Sequence, residues 1–194
     1  EIWYCADQRQ QLHFEQVFRA SYMAGLVDSN VNLEYIGFGT MNGEDGKPFK
    51  TRDGGVMSLK SLIEMIKKAT RKRINYDIVT QDMVEDTVEK IAISALKYAD
   101  LIPFRGTDYI FNPEKFADVE GKTGPYLLYS TIRMKSLLNK AKELKQEEFK
   151  LLNDTSSRDI ILTLLKLPTI LTKSFEIKSL NEIAEYLYAL TNKY

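Results

Sequence analysis

The segment from Gly37 to Gly55 constrains this chain more than any other. It holds six glycines, at positions 37, 39, 43, 46, 54 and 55. The backbone there can turn sharply and approach a ligand without interference from Cβ atoms. The preceding run, Leu33 to Ile36, is short, apolar and bounded by turn residues, which predicts a buried strand. A helical pattern opens behind the segment at Ser58. In between lie Lys47, Lys50 and Arg52, with the hydroxyl of Thr51. A strand, a cationic glycine loop and a helix together suit a polyphosphate. The residues alone leave a second reading open, a long solvated hairpin loop rich in lysine.

Upstream, Ile2 to Ala6 reads as a first strand, followed from Arg9 to about Gly25 by a helical pattern. Gln10, His13, Val17, Ala20 and Ala24 fall on one face of that helix. Gln10 and His13 are one turn apart at its start, just beyond a strand's carboxyl end, where open α/β sheets hold ligands. The strand–helix–strand unit over 2–38 is expected to be a right-handed parallel crossover. A lone histidine is usually a structural hydrogen-bonding group. One histidine and one cysteine are too few for an ordinary zinc site, and no serine–histidine–acid set is available.

The rest reads as helical. Ser58 is a fair N-cap for a helix carrying Leu59, Leu62, Ile63 and Ile66. The cations Lys60, Lys67, Lys68, Arg71, Lys72 and Arg73 follow; they suit a solvated helix C-terminus or, alternatively, RNA phosphates. Val84, Val88, Ile91, Ala95 and Tyr98 mark another amphipathic helix, with an acidic first turn. Pro103 and Gly106 break the chain, and residues 108–111 suggest a short extended piece. Thr123 to Pro125 reads as a helix start. Leu127, Thr131, Met134 and Leu138 form its apolar stripe, expected to be core, with Arg133, Lys135 and Lys140 on a cationic face. Helices over 157–167 and 180–193 are expected on either side of Pro168. Ser179 and Glu182 suggest a capping box, with Leu180, Ile183, Leu187 and Leu190 facing inward.

Composition narrows the class. Lys plus Arg equals Asp plus Glu at 27 each, so any nucleic-acid surface must be a local patch. Cys5 is the only cysteine, which excludes an internal disulfide and suits a reducing, cytoplasmic setting. No apolar run approaches a membrane span. The chain opens at Glu1 on a strand and stops inside a helical pattern, and so reads as a piece of a longer protein. Two strands without the rest of their sheet expose edges that invite association between copies.

Three stretches carry a family resemblance: "ADQRQQLHFEQVF", "GFGTMNGEDGKPFKTR" and "FADVEGKTGPYLLYSTIRMKSLL". In this order they resemble arginyl-tRNA synthetases, class I enzymes whose KMSKS element is degenerate. The resemblance implies a mainly α chain with a small α/β part. Residues 1–105 would be the distal portion of a Rossmann-like catalytic domain, with its signature loop at 37–55. Residues 106–194 would be most of a helical anticodon-binding domain.

The implied reaction joins arginine to ATP as arginyl-adenylate, then transfers the arginyl group to tRNA(Arg). Its demands are alignment and stabilisation of charge on the departing pyrophosphate. The resemblance assigns Lys50, Thr51 and Arg52 to that charge and Gln10 to arginine. ATP falls to His13, Gly39, Met41 and Phe49, with Mg2+ accompanying it. Arg133, Lys135 and Lys140 are the tRNA candidates. Two departures stand out. The loop reads Phe49-Lys-Thr-Arg52 and lacks the second KMSKS lysine, and the HIGH motif is absent. The segment alone is therefore expected to be inactive. A non-catalytic RNA-binding or adaptor module built on the same scaffold is the alternative reading.

Overall fold

The computed structural model describes residues 1–47, 57–76, 79–141 and 154–194. Aromatic and β-branched residues open the chain as strand β1 (Ile2–Asp7), which pairs in parallel with β2 (Leu33–Phe38). The register runs from Ile2 opposite Leu33 to Asp7 opposite Phe38. Helix α1 (Gln11–Met23) makes the crossover between them, entered through a tight 3-10 turn at Gln8–Gln10. The expected parallel pair is present.

The face of α1 that carries Gln10 and His13 is turned to solvent. Gln10, His13, Val17, Ala20 and Ala24 are all exposed. Phe14 stacks on Tyr35 at 5.2 Å, and Phe18 meets Tyr4 at 4.9 Å. Two aromatics one turn apart offer far more burial area than Val17 and two alanines, so they decide which face turns inward.

A second short pair is β3 (Met41–Asn42) with β4 (Tyr109–Ile110), again parallel. Between them in sequence lie α2 (Leu59–Arg71) and α3 (Val84–Leu101). Ser58 caps α2 as expected, its hydroxyl accepting from the Ser61 amide. Leu62, Ile66 and Ala69 of α2 pack with Ala92 and Ala95 of α3, and Phe111 and Ala117 complete this core. Complete burial of Ile66 alone is worth roughly 1.5–3 kcal/mol.

Four of the cations ending α2 are tied to carboxylates of neighbouring elements. Lys67 reaches Glu89 at 3.4 Å and Arg71 reaches Glu85 at 2.6 Å. Lys72 and Arg73 share Glu114 of α4 (Pro113–Phe116), at 2.6 and 2.7 Å. The α2 terminus is thus an ion-paired seam, not a bare cationic end.

Helix α5 (Gly124–Ala141) starts where Thr123 and Pro125 predict, with the Thr123 hydroxyl accepting from the Tyr126 amide. Its expected apolar stripe is mostly outside the core. Thr131 and Leu138 are exposed, as are Leu128, Ile132 and Leu137. Small residues decide this face: Gly124 and Ser130 are buried, and a Cβ on Gly124 would lie 2.1 Å from the Ser94 carbonyl oxygen.

Among the described residues, α6 (Thr155–Leu164), α7 (Leu167–Glu176) and α8 (Asn181–Lys193) follow. Pro168 opens α7 instead of separating two helices, because a first-turn N–H has no intrahelical partner to lose. The expected capping box is absent. The Ser179 hydroxyl accepts from the Arg105 amide at 3.3 Å, and Glu182 pairs with Lys173 at 2.8 Å. Ala184 and Tyr186 are the buried residues of α8, while Leu180 and Leu187 stay exposed. No helix among the described residues is long and apolar enough to cross a membrane.

Candidate functional site

Both strands of the β1–β2 pair end at a cavity of about 680 Å3. Asp7 and Arg9 line it from the end of β1, and Phe38, Gly39 and Met41 from the start of the glycine segment. Arg105, Thr107 and Tyr109 close it from the connection between α3 and β4. The carboxyl ends of parallel strands gather loop backbone around a ligand-sized space, as in other open α/β sheets.

Asp7 organises the near wall. Arg9 donates to it twice through its side chain, at 2.8 and 2.6 Å, and once through its backbone amide at 2.9 Å. These bonds hold the Asp7 carboxyl down at about 2, from an ordinary 3.8. The Tyr35 hydroxyl donates to the Asp7 carbonyl at 2.5 Å. Burial is the main cause that raises the pKa of that phenol.

Asp108 organises the far wall, accepting from the Thr40 amide at 2.6 Å and from the Gln8 side chain at 3.2 Å. The Gly39 amide donates to the Arg105 carbonyl at 2.8 Å. At Gly39 a Cβ would lie 2.4 Å from the Thr107 carbonyl oxygen, so this close approach of two backbones requires glycine. The Tyr109 hydroxyl donates to Asp100 at 2.9 Å, and burial raises its pKa.

Gly39 and Met41 line the cavity, so the structure brings these two candidates together. The Gly39 and Thr40 amides, however, already serve Arg105 and Asp108. Gln10 and His13 are exposed at the start of α1, next to the carboxyl end of β1 but outside the cavity lining. The His13 ring sits edge-on to Phe14 at 5.5 Å. Phe49, Lys50, Thr51 and Arg52 lie outside the described residues. Arg133, Lys135 and Lys140 are exposed on α5, with Arg133 over the Tyr129 ring at 5.7 Å. Among the described residues, no cluster of three His, Cys, Asp or Glu side chains could hold a metal ion.

Sequence reading missed Arg105 and Asp108. Their partners Gly37 and Thr40 are each 68 residues away, and no local periodicity reports such a contact. The break at Pro103 and Gly106 marked the segment as a loop but gave no sign of what it would touch.

The family model for the class I tRNA synthetase (R) catalytic domain matches residues 1–113, more than half of the chain. The chain belongs to the arginyl-tRNA synthetase family. The model for the DALR anticodon binding domain matches residues 127–194. The arginine–tRNA ligase of Hyphomonas neptunium is 42% identical over 196 residues, covering 98% of this chain and 33% of the relative. That of Alkaliphilus oremlandii is 40% identical over 198 residues, covering 100% of this chain and 34% of the relative. The chain therefore spans about a third of the length of these curated relatives.

Solved structures agree. The Plasmodium falciparum arginyl-tRNA synthetase superposes with a TM-score of 0.73 at 26% identity, covering 98% of this chain and 33% of that one. The Thermus thermophilus arginyl-tRNA synthetase gives 0.79 at 20% identity, covering 100% and 32%, which shows shared fold.

Proposed function

We propose that this chain is the distal catalytic segment and most of the anticodon-binding domain of an arginine–tRNA ligase. The boundary is set near residue 105, with 1–105 catalytic and 106–194 helical. The observation that carries the reading is the cavity at the carboxyl ends of β1 and β2, walled by the first residues of the glycine segment. Its volume suits a nucleotide, and the connection around Arg105 and Asp108 holds its far side in place.

In this reading Gln10 bonds the arginine substrate through its side-chain amide. Gly39 and Met41 face the adenine, with His13 and Phe49 completing the nucleotide site. Since the Gly39 and Thr40 amides are engaged, adenine contact there falls to the open face of the backbone and to the Met41 side chain. Lys50, Thr51 and Arg52 stabilise negative charge on pyrophosphate as it departs. Magnesium arrives with ATP as part of the substrate. On the α5 surface, Arg133, Lys135 and Lys140 meet tRNA(Arg) phosphates. The setting is cytoplasmic. The exposed edge residues Ile2 and Trp3 make the 194-residue segment prone to self-association when isolated.

The test is ATP–pyrophosphate exchange with arginine and tRNA(Arg), on the full reading frame containing this chain and on its Gln10→Ala variant. Expected is arginine-dependent exchange, with the arginine KM raised about tenfold or more in the variant. Exchange catalysed by residues 1–194 alone would overturn the expected inactivity of the segment. An intact protein that binds tRNA yet shows no exchange would favour the adaptor reading.

A further inference from the structure

We propose that Arg105 is a positioning residue that couples the turn between α7 and α8 to the root of the glycine loop. Three parts of one residue make the connection. Its guanidinium donates through Nη1 to the Gly37 carbonyl and through Nε to the Lys178 carbonyl, the latter at 3.0 Å. Its amide donates to the Ser179 hydroxyl at 3.3 Å, and its carbonyl accepts from the Gly39 amide at 2.8 Å. Arg105 thus holds positions 37 and 39 on one side and 178 and 179 on the other.

The turn it grips is held in a specific shape. Lys178 has φ 50°, the only positive φ at a non-glycine among the described residues. Its Nζ pairs with Glu34 of β2 at 2.9 Å, so the turn is fastened to the β2 strand by a second contact. Ser179 is buried, which shields the Arg105 amide bond from water. A planar guanidinium donates in two fixed directions at once; a lysine ammonium cannot copy that geometry. Any displacement of the helical part at 178–179 is therefore delivered to the backbone from which the loop departs. Under the ligase reading, on which this inference rests, tRNA seated on the helical domain adjusts the loop through Arg105.

The experiment has two arms, both on the full-length protein. In the first, amide hydrogen exchange is followed without ligands in the wild type, Arg105→Lys and Ser179→Ala. Gly39 and Thr40 are expected to exchange about tenfold faster in both variants, while the α2–α3 core amides keep their protection. Unchanged Gly39 and Thr40 in Ser179→Ala, or a uniform rise across all amides in both variants, overturns the coupling. In the second arm, Arg105→Lys lowers kcat for aminoacylation about tenfold with the tRNA KM within about twofold, and adding Ser179→Ala costs little more. Additive losses, or a parallel loss of tRNA affinity, overturn it. If the wild-type protein shows no arginine-dependent aminoacylation, the ligase reading fails, and the exchange arm alone decides the coupling.

Discussion

Tyr98 of α3 donates its hydroxyl hydrogen to the Ala184 carbonyl of α8, at 3.0 Å across 86 residues of sequence. Both residues are buried, so this bond fixes the last helix to the long central one away from water. Burial is the first cause that pushes the Tyr98 phenol up to about 12, with Glu185 and Tyr188 adding to it. Only the neutral phenol can donate. The folded pKa lies above the ordinary 10, so the stabilisation is complete below pH 10 and is lost as pH rises toward about 12. Tyr98→Phe should cost about 1 kcal/mol at neutral pH and should flatten the stability loss in that alkaline window. Urea unfolding of both proteins at neutral and alkaline pH measures it.

Gly124 sets the distance between α3 and α5. With only 2.1 Å from an added Cβ to the Ser94 carbonyl oxygen, and 2.8 Å to the Ala95 amide, the obstacle is backbone and cannot rotate aside. Gly124→Ala must push the helices apart, at a cost of about 1–3 kcal/mol despite alanine's better helix propensity. A lowered Tm in calorimetry is the expected outcome. An unchanged Tm would mean that the two helices are not in contact there.

The Asp7–Arg9 clasp should survive acid. Its carboxyl is depressed to about 2 from 3.8, so its contribution is complete above 3.8 and fades only as pH falls through about 2. Carbon-detected NMR of the Asp7 carboxyl should show a midpoint near 2. In Arg9→Gln the midpoint should return toward 3.8, because both the side-chain bonds and the charge are gone. A wild-type midpoint already near 3.8 would remove the clasp from the site.

Much of this arrangement can be read locally. Ser58 and Thr123 each carry a hydroxyl at a helix start, and both cap as their positions imply. The β1–β2 pair follows from two short apolar runs flanking a helical one. Where reading failed, a tertiary contact outweighed a local pattern. Ser179 fits a capping box, yet its hydroxyl goes to Arg105, 74 residues earlier. On α5, glycine and serine form the packed face because close backbone approach gains more there than bulky side chains would, and Leu128, Leu137 and Leu138 are left outside. At the site, Gly39 and Met41, assigned through the family resemblance, line the cavity. Asp108 was not legible, since its partners Gln8 and Thr40 lie 100 and 68 residues away.

The α2 cations give a last discriminating case, because a run of Lys and Arg invites an RNA reading. Glu114 pairs with both Lys72 and Arg73, and the pKa of its carboxyl is lowered by the bonds to Lys72 and then Arg73. All three groups are substantially exposed, so the ties are weak ones that salt screens. Glu114→Gln should lower the Tm slightly at low salt and by less at high salt. If these cations serve only the α2–α4 seam, the variant's tRNA affinity and its salt dependence should match the wild type. If they also meet phosphates, releasing them should tighten tRNA binding and steepen its dependence on salt. Filter binding across a salt series decides between the two, and the ion-paired geometry predicts the first.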